Sequence, residues 1–411
     1  MTNTDQHLGT APAIRPRIPP FAFVLTASIG VIGSNSLALG PMAPEVAAGL
    51  GTDVPSVMIA SAAFGLGTAA AAVFLGRLVD RYGPQRMLLA SLCLFACGLA
   101  ISSVAPTVAV LVAAQLLVGI AAGVALPAIY TLAAVVAPAG RESETIGVVL
   151  TGWTLSMVAG VSLAAVVADF VGWRAVYAVV AAVTLVVALT VAVVSPRAAA
   201  VSAAPASSPF SALAIPGAAW LLAACGCFMA SFYGVYAYLG DHLHEGLGLP
   251  LSANGLVALC YGLGFGAAAF LDRLVDRVGP GRLLPPIFLA VAVVFAAMAA
   301  ASGSYAALLA VVFVWGLINH FGLNVLIMRL TSLDPARRGA IMGLNSGVTY
   351  LALFAGTIGF GRLHAAFGFA VLPTAAVALM LAAALLAAIA APARKCPEAR
   401  TASRSMPPAS R

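Results

Sequence analysis

Runs of about twenty apolar residues, rich in Ala, Leu, Val and Gly, recur along this chain without the alternation of a half-buried strand. A helix of that length matches the hydrocarbon thickness of a bilayer. Lipid holds no water for backbone N–H and C=O groups, so a spanning segment is either a helix or part of a closed barrel. Barrel strands read as alternating segments of about ten residues, and the runs here do not alternate. With 62% hydrophobic and 8% charged residues among 411, the chain also lacks the polar side chains a soluble surface needs. The runs predict helices near 21–47, 54–75, 86–105, 107–136, 145–169, 173–195, 215–240, 252–271, 283–302, 305–331, 340–361 and 370–392. The expected fold is an all-α membrane protein with twelve transmembrane helices in two pseudo-symmetric six-helix bundles.

The placement of charge supports that count. Numbering the loops alternately from the N-terminus, one side holds 18 of the 20 basic residues and the other holds only Arg174 and Arg362. The positive-inside rule then puts both termini in the cytoplasm. A net charge of +7 gathered in the loops of one side calls for no nucleic-acid partner. The apolar stretch after Arg15 and Arg17 is longer than a signal peptide's core, and reads as an uncleaved first helix.

Composition divides the chain into a cytoplasmic N-terminal tail (1–20), a six-helix bundle (21–195), a cytoplasmic linker rich in Ala, Pro and Ser (196–214), a second bundle (215–392) and a cytoplasmic C-terminal tail (393–411). Five of the six cysteines, Cys93, Cys97, Cys225, Cys227 and Cys260, fall in apolar helices and Cys396 in the tail. None has convergent ligand partners nearby, so no metal site is expected and the helical cysteines read as small hydrophobes. No phosphate-cradling Gly-rich loop with Lys-Ser/Thr occurs, which excludes direct drive by ATP and leaves no cofactor to assign.

An internal repeat links the halves. Residues 76–86 read GRLVDRYGPQR and residues 272–282 read DRLVDRVGPGR, matching at eight of eleven positions with an offset of 196. Gly83 and Gly279, each before a proline, suit a tight turn between antiparallel helices. Asp80 and Asp276 are expected to face the N-termini of the helices starting near Ala340 and Thr145, where a carboxylate meets a positive helix end. Such latches hold one side of the protein closed, with Arg81, Arg86, Arg277 and Arg282 around them.

The loop resembles the signature between the second and third helices of the major facilitator superfamily, Gly-x-Leu-x-Asp-Arg-x-Gly-x-x-Arg. Gly76, Leu78, Asp80, Arg81, Gly83 and Arg86 fit it, and the second copy departs only at Asp272. The fifth helix, with Gly152, Gly160 and the corner Gly172-Trp173-Arg174, resembles the twelve-helix drug/arabinose-efflux branch. Two departures stand out: Ser162 occupies the place of a proline, and Gln115 that of a buried arginine in the fourth helix. The resemblance implies a secondary transporter working by alternating access, an antiporter with protons as coupling ion, functional as a monomer in a bacterial inner membrane.

Polar groups inside spans are costly in lipid and mark the path of a substrate by default. The candidates are Asn35, Gln115, Tyr130, Trp153, Tyr236, Trp315, Asn319, His320, Asn324 and Asn345. Trp315, Asn319 and His320 share one broad helical face. Each position has a plainer reading: Tyr and Trp near span ends act as interfacial anchors, which suits Trp173 and Trp220, and arginines near span ends snorkel, which suits Arg329. No carboxylate lies deep in a span, which argues against a cation specialist, and His320 is the best-embedded titratable group. The cargo expected is a small neutral or amphiphilic molecule, moved outward against proton entry. The alternative is import or facilitated passage of a neutral metabolite such as a vitamin, nucleobase or sugar derivative. An intramembrane enzyme is excluded, because His320 has no acidic companion within the spans.

Overall fold

The computed structural model describes residues 18–138, 141–194, 209–271, 280–334 and 337–390. Among them are twelve helices long and apolar enough to cross a membrane. In the first half these are α1 (Pro20–Leu50), α2 (Val54–Phe74), α3 (Pro84–Ser103), α4 (Val108–Val136), α5 and α6 (Trp173–Val194). Helix α5 has three parts, Glu142–Leu155, a wider π-helical stretch Ser156–Val161, and Ser162–Val171. The second half holds α7 (Ala218–Asp241), α8 (Ser252–Ala268), α9 (Pro280–Ala301), α10 (Tyr305–Leu333), α11 (Arg338–Phe367) and α12 (Val371–Ile389).

The offset of 196 holds far beyond the motif in which the sequence first displays it. Shifted by that amount, every helix of the first half falls on its counterpart in the second, and α11 begins and ends where α5 does. The turns after them coincide as well: Gly172 and Gly368 both take left-handed backbone, with φ of 107° and 75°. An L side chain is strained there, so glycine closes both turns.

Several boundaries differ from the sequence-based expectation for local reasons. Pro41 and Pro44 lie inside α1 without ending it, and the helix runs on to Gly51, whose φ of 66° makes a left-handed cap. At the head of α2, Asp53 accepts a 2.8 Å hydrogen bond from the Ser56 N–H. Hydrogen bonding by Ser56, side chain first and backbone second, holds the Asp53 carboxyl below its ordinary range. The stretch expected to be linker up to residue 214 contains a 3-10 turn, Pro209–Ala214, that packs against α11.

Glycine governs how closely the helices approach. A Cβ on Gly119 would overlap the carbonyl oxygen of Phe64, and one on Gly123 that of Thr68, so α4 lies backbone to backbone on α2. The second half repeats this between α8 and α10, where Gly264 meets Phe313 and Gly316 meets Tyr261. Glycines also set the seams between halves. Gly240 of α7 lies on Gly40 and Pro41 of α1, Gly65 of α2 on Tyr350 and Leu353 of α11, and Gly262 of α8 on Met157 and Val158 of α5. Farther toward the side on which α1 begins, Gly347 touches Val73 and Gly266 touches Thr154. Among the described residues the halves therefore touch along three helix pairs, α1 with α7, α2 with α11 and α5 with α8.

Two side chains depart from their expected places. Trp173, taken for an interfacial anchor, is 3% exposed and its indole packs on Gly49, whereas Trp220 is 48% exposed. Arg329 does not snorkel. It is 5% exposed and its Nη1 donates to the Ala387 carbonyl at 3.0 Å, tying α10 to α12. Replacing Gly119 with Leu is expected to separate α2 from α4, at an overpacking cost of about 1–3 kcal/mol or more. Size-exclusion chromatography in mild detergent should then lose the monodisperse peak, and a wild-type elution profile would refute the packing.

Candidate functional site

The polar groups inside the spans fall into two sets with opposite characters. In the first half, Asn35 Nδ2 donates to Gln115 Oε1 at 3.0 Å, and Gln115 Nε2 donates to Ser102 Oγ at 3.1 Å. Ser102 in turn donates to the Gly98 carbonyl. The network ties α1, α3 and α4 together and uses both ends of the Gln115 amide. Where the resemblance expects a buried arginine, this chain holds a neutral, internally satisfied amide.

The second half is aromatic. Phe232 packs against Tyr236, Tyr261 and Trp315 with ring centroids 5.7, 5.5 and 5.3 Å away. Tyr261 meets Trp315 edge-on at 5.1 Å and extends the cluster to Phe265. Asn319, one helical turn from Trp315, donates Nδ2 to the Tyr261 hydroxyl at 3.0 Å. His320 follows it on the same helix and packs its ring against Phe265 at 4.9 Å. The expected shared face of Trp315, Asn319 and His320 thus turns toward α8. Three polar atoms of this cluster are buried without a hydrogen-bond partner: Tyr236 Oη, Trp315 Nε1 and Asn319 Oδ1.

The remaining candidates are spread more widely. Tyr130 lies on an exposed edge of α4 beside Trp153 of α5. Asn345 of α11 is buried with its Oδ1 unpartnered, as is Ser36 Oγ on α1. Asn324 is half-buried one turn beyond His320. Two small cavities flank Tyr236, one bounded by Pro41, Gly240 and Asn254, the other by Ser36, Gly40 and Thr357. Each has about 10 Å³ of free space, roughly one water. Neither has room for a substrate.

At the seam on the side away from the chain ends lie residues that sequence reasoning did not single out. Asn254 Nδ2 donates to the Pro41 carbonyl at 2.9 Å, clasping α8 to α1 across the halves. Asp241, the last residue of α7, is buried, with Oδ2 2.6 Å from His364 Nε2. Tyr238 stacks on the His364 ring and donates to the Thr357 carbonyl. The offset of 196 pairs Asp241 with Glu45, whose Oε1 accepts from the Trp173 N–H at 3.1 Å. Each half thus carries a carboxylate in the last part of its first helix, tied in one to the first residue of the sixth helix and in the other to the fifth. One partner is a fixed backbone group and the other a titratable ring. The signal for Asp241 was present in the repeat; His364 carried none.

In the motif loop, Arg77–Tyr82 forms a short helix that ends at Gly83, with φ of 87°. The tight turn expected at Gly83 is present. Gly76 precedes this helix in ordinary right-handed backbone. Asp80, Arg81 and Arg86 are exposed, with Arg81 over the Tyr82 ring. Asp80 makes no hydrogen bond or ion pair among the described residues. Asp276, Arg277 and Gly279 lie outside the described residues, and Arg282 is exposed near the start of α9. In α5, Ser162 holds the place of the expected proline. Its Oγ donates to the Met157 carbonyl at 3.2 Å where the helix leaves the π-helical stretch. The interruption proline would bring is present without it.

A duplicated helical scaffold whose polar groups gather within and between its halves is the build of a membrane transporter. The family model described as Major Facilitator Superfamily matches residues 24–357, and the chain belongs to that family. It is 28% identical over 356 residues to an uncharacterized MFS-type transporter, YwfA, of Bacillus subtilis (strain 168), covering 85% of this chain and 86% of that one. It is 26% identical over 313 residues to the chloramphenicol resistance protein of Streptomyces lividans, covering 75% and 80%. The fold is similar to that of a bacterial homolog to the human lysosomal transporter Spinster, with a TM-score of 0.73 at 15% identity over 90% of this chain and 96% of that one. The family and these relatives are transporters, not enzymes.

Gln115→Leu is expected to lower stability by about 1–3 kcal/mol, because it strands the buried Asn35 amide without its acceptor. Thermal unfolding in detergent reads this as a lowered midpoint; an unchanged midpoint would remove the network's structural role.

Proposed function

We propose that this chain is a proton-coupled exporter of small neutral or amphiphilic molecules. It works as a monomer by alternating access in a bacterial inner membrane, with both termini in the cytoplasm. The observation that carries the reading is the character of the central polar groups. Around Tyr236, Trp315 and Asn319 the described residues are aromatic or neutral, and a charged cargo would be left without a counter-charge in a dry site. The relative from Streptomyces lividans is named for resistance to a neutral antibiotic, which supports outward transport.

In this reading residues 21–195 and 215–392 rock against each other as two bodies, joined by 196–214, around the midplane cluster. The proton is taken up at Asp241 and His364 rather than at His320. With one proton the pair is neutral as a whole; without it the pair carries a net negative charge in a nearly closed site, each side chain 13% exposed. The neutral pair suits the closed seam and the charged pair suits water, so protonation and closure of the far side go together. Tyr238 of α7 stacks on the His364 ring and lies within electrostatic reach of both Asp241 and Asp53 at the head of α2. Asp80 and Asp276 act as latches on the opposite side, released during the switch.

Purified protein in inside-out proteoliposomes, acid inside, is expected to accumulate chloramphenicol and to lose the accumulation when a protonophore is added. Accumulation indifferent to the pH gradient would sink proton coupling. Asp80→Asn should cut the transport rate by about tenfold or more with membrane insertion intact, and a wild-type rate removes the latch. In Asp241→Asn, exchange of labelled for unlabelled drug should persist while gradient-driven accumulation disappears. If that variant still concentrates drug as wild type does, the proton is carried elsewhere.

A further inference from the structure

The register of the two halves exposes an asymmetry at the centre of the protein. Six residues build the aromatic cluster: Phe232 and Tyr236 on α7, Tyr261 and Phe265 on α8, Trp315 and Asn319 on α10. Shifted back by the same 196 positions, they become Ser36, Gly40, Gly65, Ala69, Gly119 and Gly123. Every large side chain of the cluster therefore stands where the first half has hydrogen, methyl or hydroxymethyl. Since the helices themselves repeat without slippage, the scaffold is common to both halves and the cluster belongs to one.

The first half uses its small residues for backbone contact, with Gly119 on Phe64, Gly123 on Thr68, and Gly65 on the Tyr350 carbonyl. The second half moves the packing glycine by one position, to Gly316 beside Trp315, and so frees the neighbouring position for a ring. The polar atoms divide in the same way. Asn35, Gln115 and Ser102 satisfy one another. Tyr236 Oη, Trp315 Nε1 and Asn319 Oδ1 have no partner, on residues no more than 5% exposed. Buried polar atoms left unpaired are rare in native proteins and call for a partner the empty protein does not supply.

We propose that the second half alone recognises the cargo, and that the cargo carries a flat aromatic ring with at least one hydrogen-bond acceptor and one donor on an uncharged frame. The ring stacks among Phe232, Tyr261 and Trp315. An acceptor on the cargo takes the indole N–H, a donor meets the Asn319 carbonyl, and the Tyr236 hydroxyl serves either. The first half contributes a small-residue wall at Ser36 and Gly40 that the ring slides against when the seam opens. This rests on the reading of the protein as a transporter of neutral molecules, and narrows it.

Equilibrium dialysis of the purified protein in nanodiscs tests the proposal without transport. The probes are chloramphenicol, N-benzylacetamide, its saturated partner N-(cyclohexylmethyl)acetamide, and benzoate. Wild type is expected to bind both neutral aromatic probes at least tenfold more tightly than the saturated amide or benzoate. Tyr236→Phe and Trp315→Phe each remove one polar atom and keep a ring. Each should weaken binding of the aromatic probes about tenfold; Tyr236→Phe leaves the thermal midpoint of the empty protein at or above wild type, because the lost atom has no partner there, while Trp315→Phe, which also removes part of a fully buried ring, lowers it. A wild type that fails to prefer the aromatic probes overturns the proposal, as does wild-type affinity in both variants. The two readings fail separately. Discriminating binding with no accumulation in vesicles removes the exporter and keeps the site; accumulation with unaltered affinity in both variants removes the site and keeps the exporter.

Discussion

Water is absent from the middle of a bilayer, and the architecture of this protein answers to that absence. A backbone group in hydrocarbon has no partner but another backbone group, so each span is a helix that satisfies itself. Helix association in lipid then draws little from hydrophobicity, because the tails are as apolar as the side chains. Close contact has to come from shape. Gly119 on Phe64, Gly316 on Tyr261 and Gly240 on Gly40 are positions where one carbon more would push two helices apart. The same dryness makes every polar side chain in a span either a structural pair or a point of function, with little room between.

Duplication organises these pairs. Two copies of one six-helix plan, held in step at an offset of 196 through all twelve helices, fix where each helix runs. Function is then written in the differences. Gln115 and Asn35 lock the first half from within, while its counterpart carries rings and uncommitted polar atoms. Glu45 docks on a backbone N–H, while Asp241 docks on the His364 ring. The frame is shared by the two halves, and the polar and aromatic side chains it carries are not.

Much of this was legible before any coordinates. The twelve spans and the turn at Gly83 are local matters of composition and backbone preference, and the structure keeps both. Path residues were only partly legible. Tyr236, Trp315 and Asn319 announced themselves as polar groups within apolar spans, but so did Gln115, and the sequence does not say which of them are already paired. Phe232 and Phe265 carry no polar atom to single them out, His364 was not among the candidates, and Arg329 read as a snorkelling residue.

By itself, then, the chain determined that it crosses the membrane twelve times in two related halves, because span length, helix periodicity and loop charge act over neighbouring residues and need no partner. Only the tertiary structure decided which polar groups cancel and which remain open. That depends on contacts between residues some 60 to 120 positions apart, such as Asn319 with Tyr261 and Asp241 with His364. Dry packing brings those residues within 3 Å, and nothing in local sequence measures that distance.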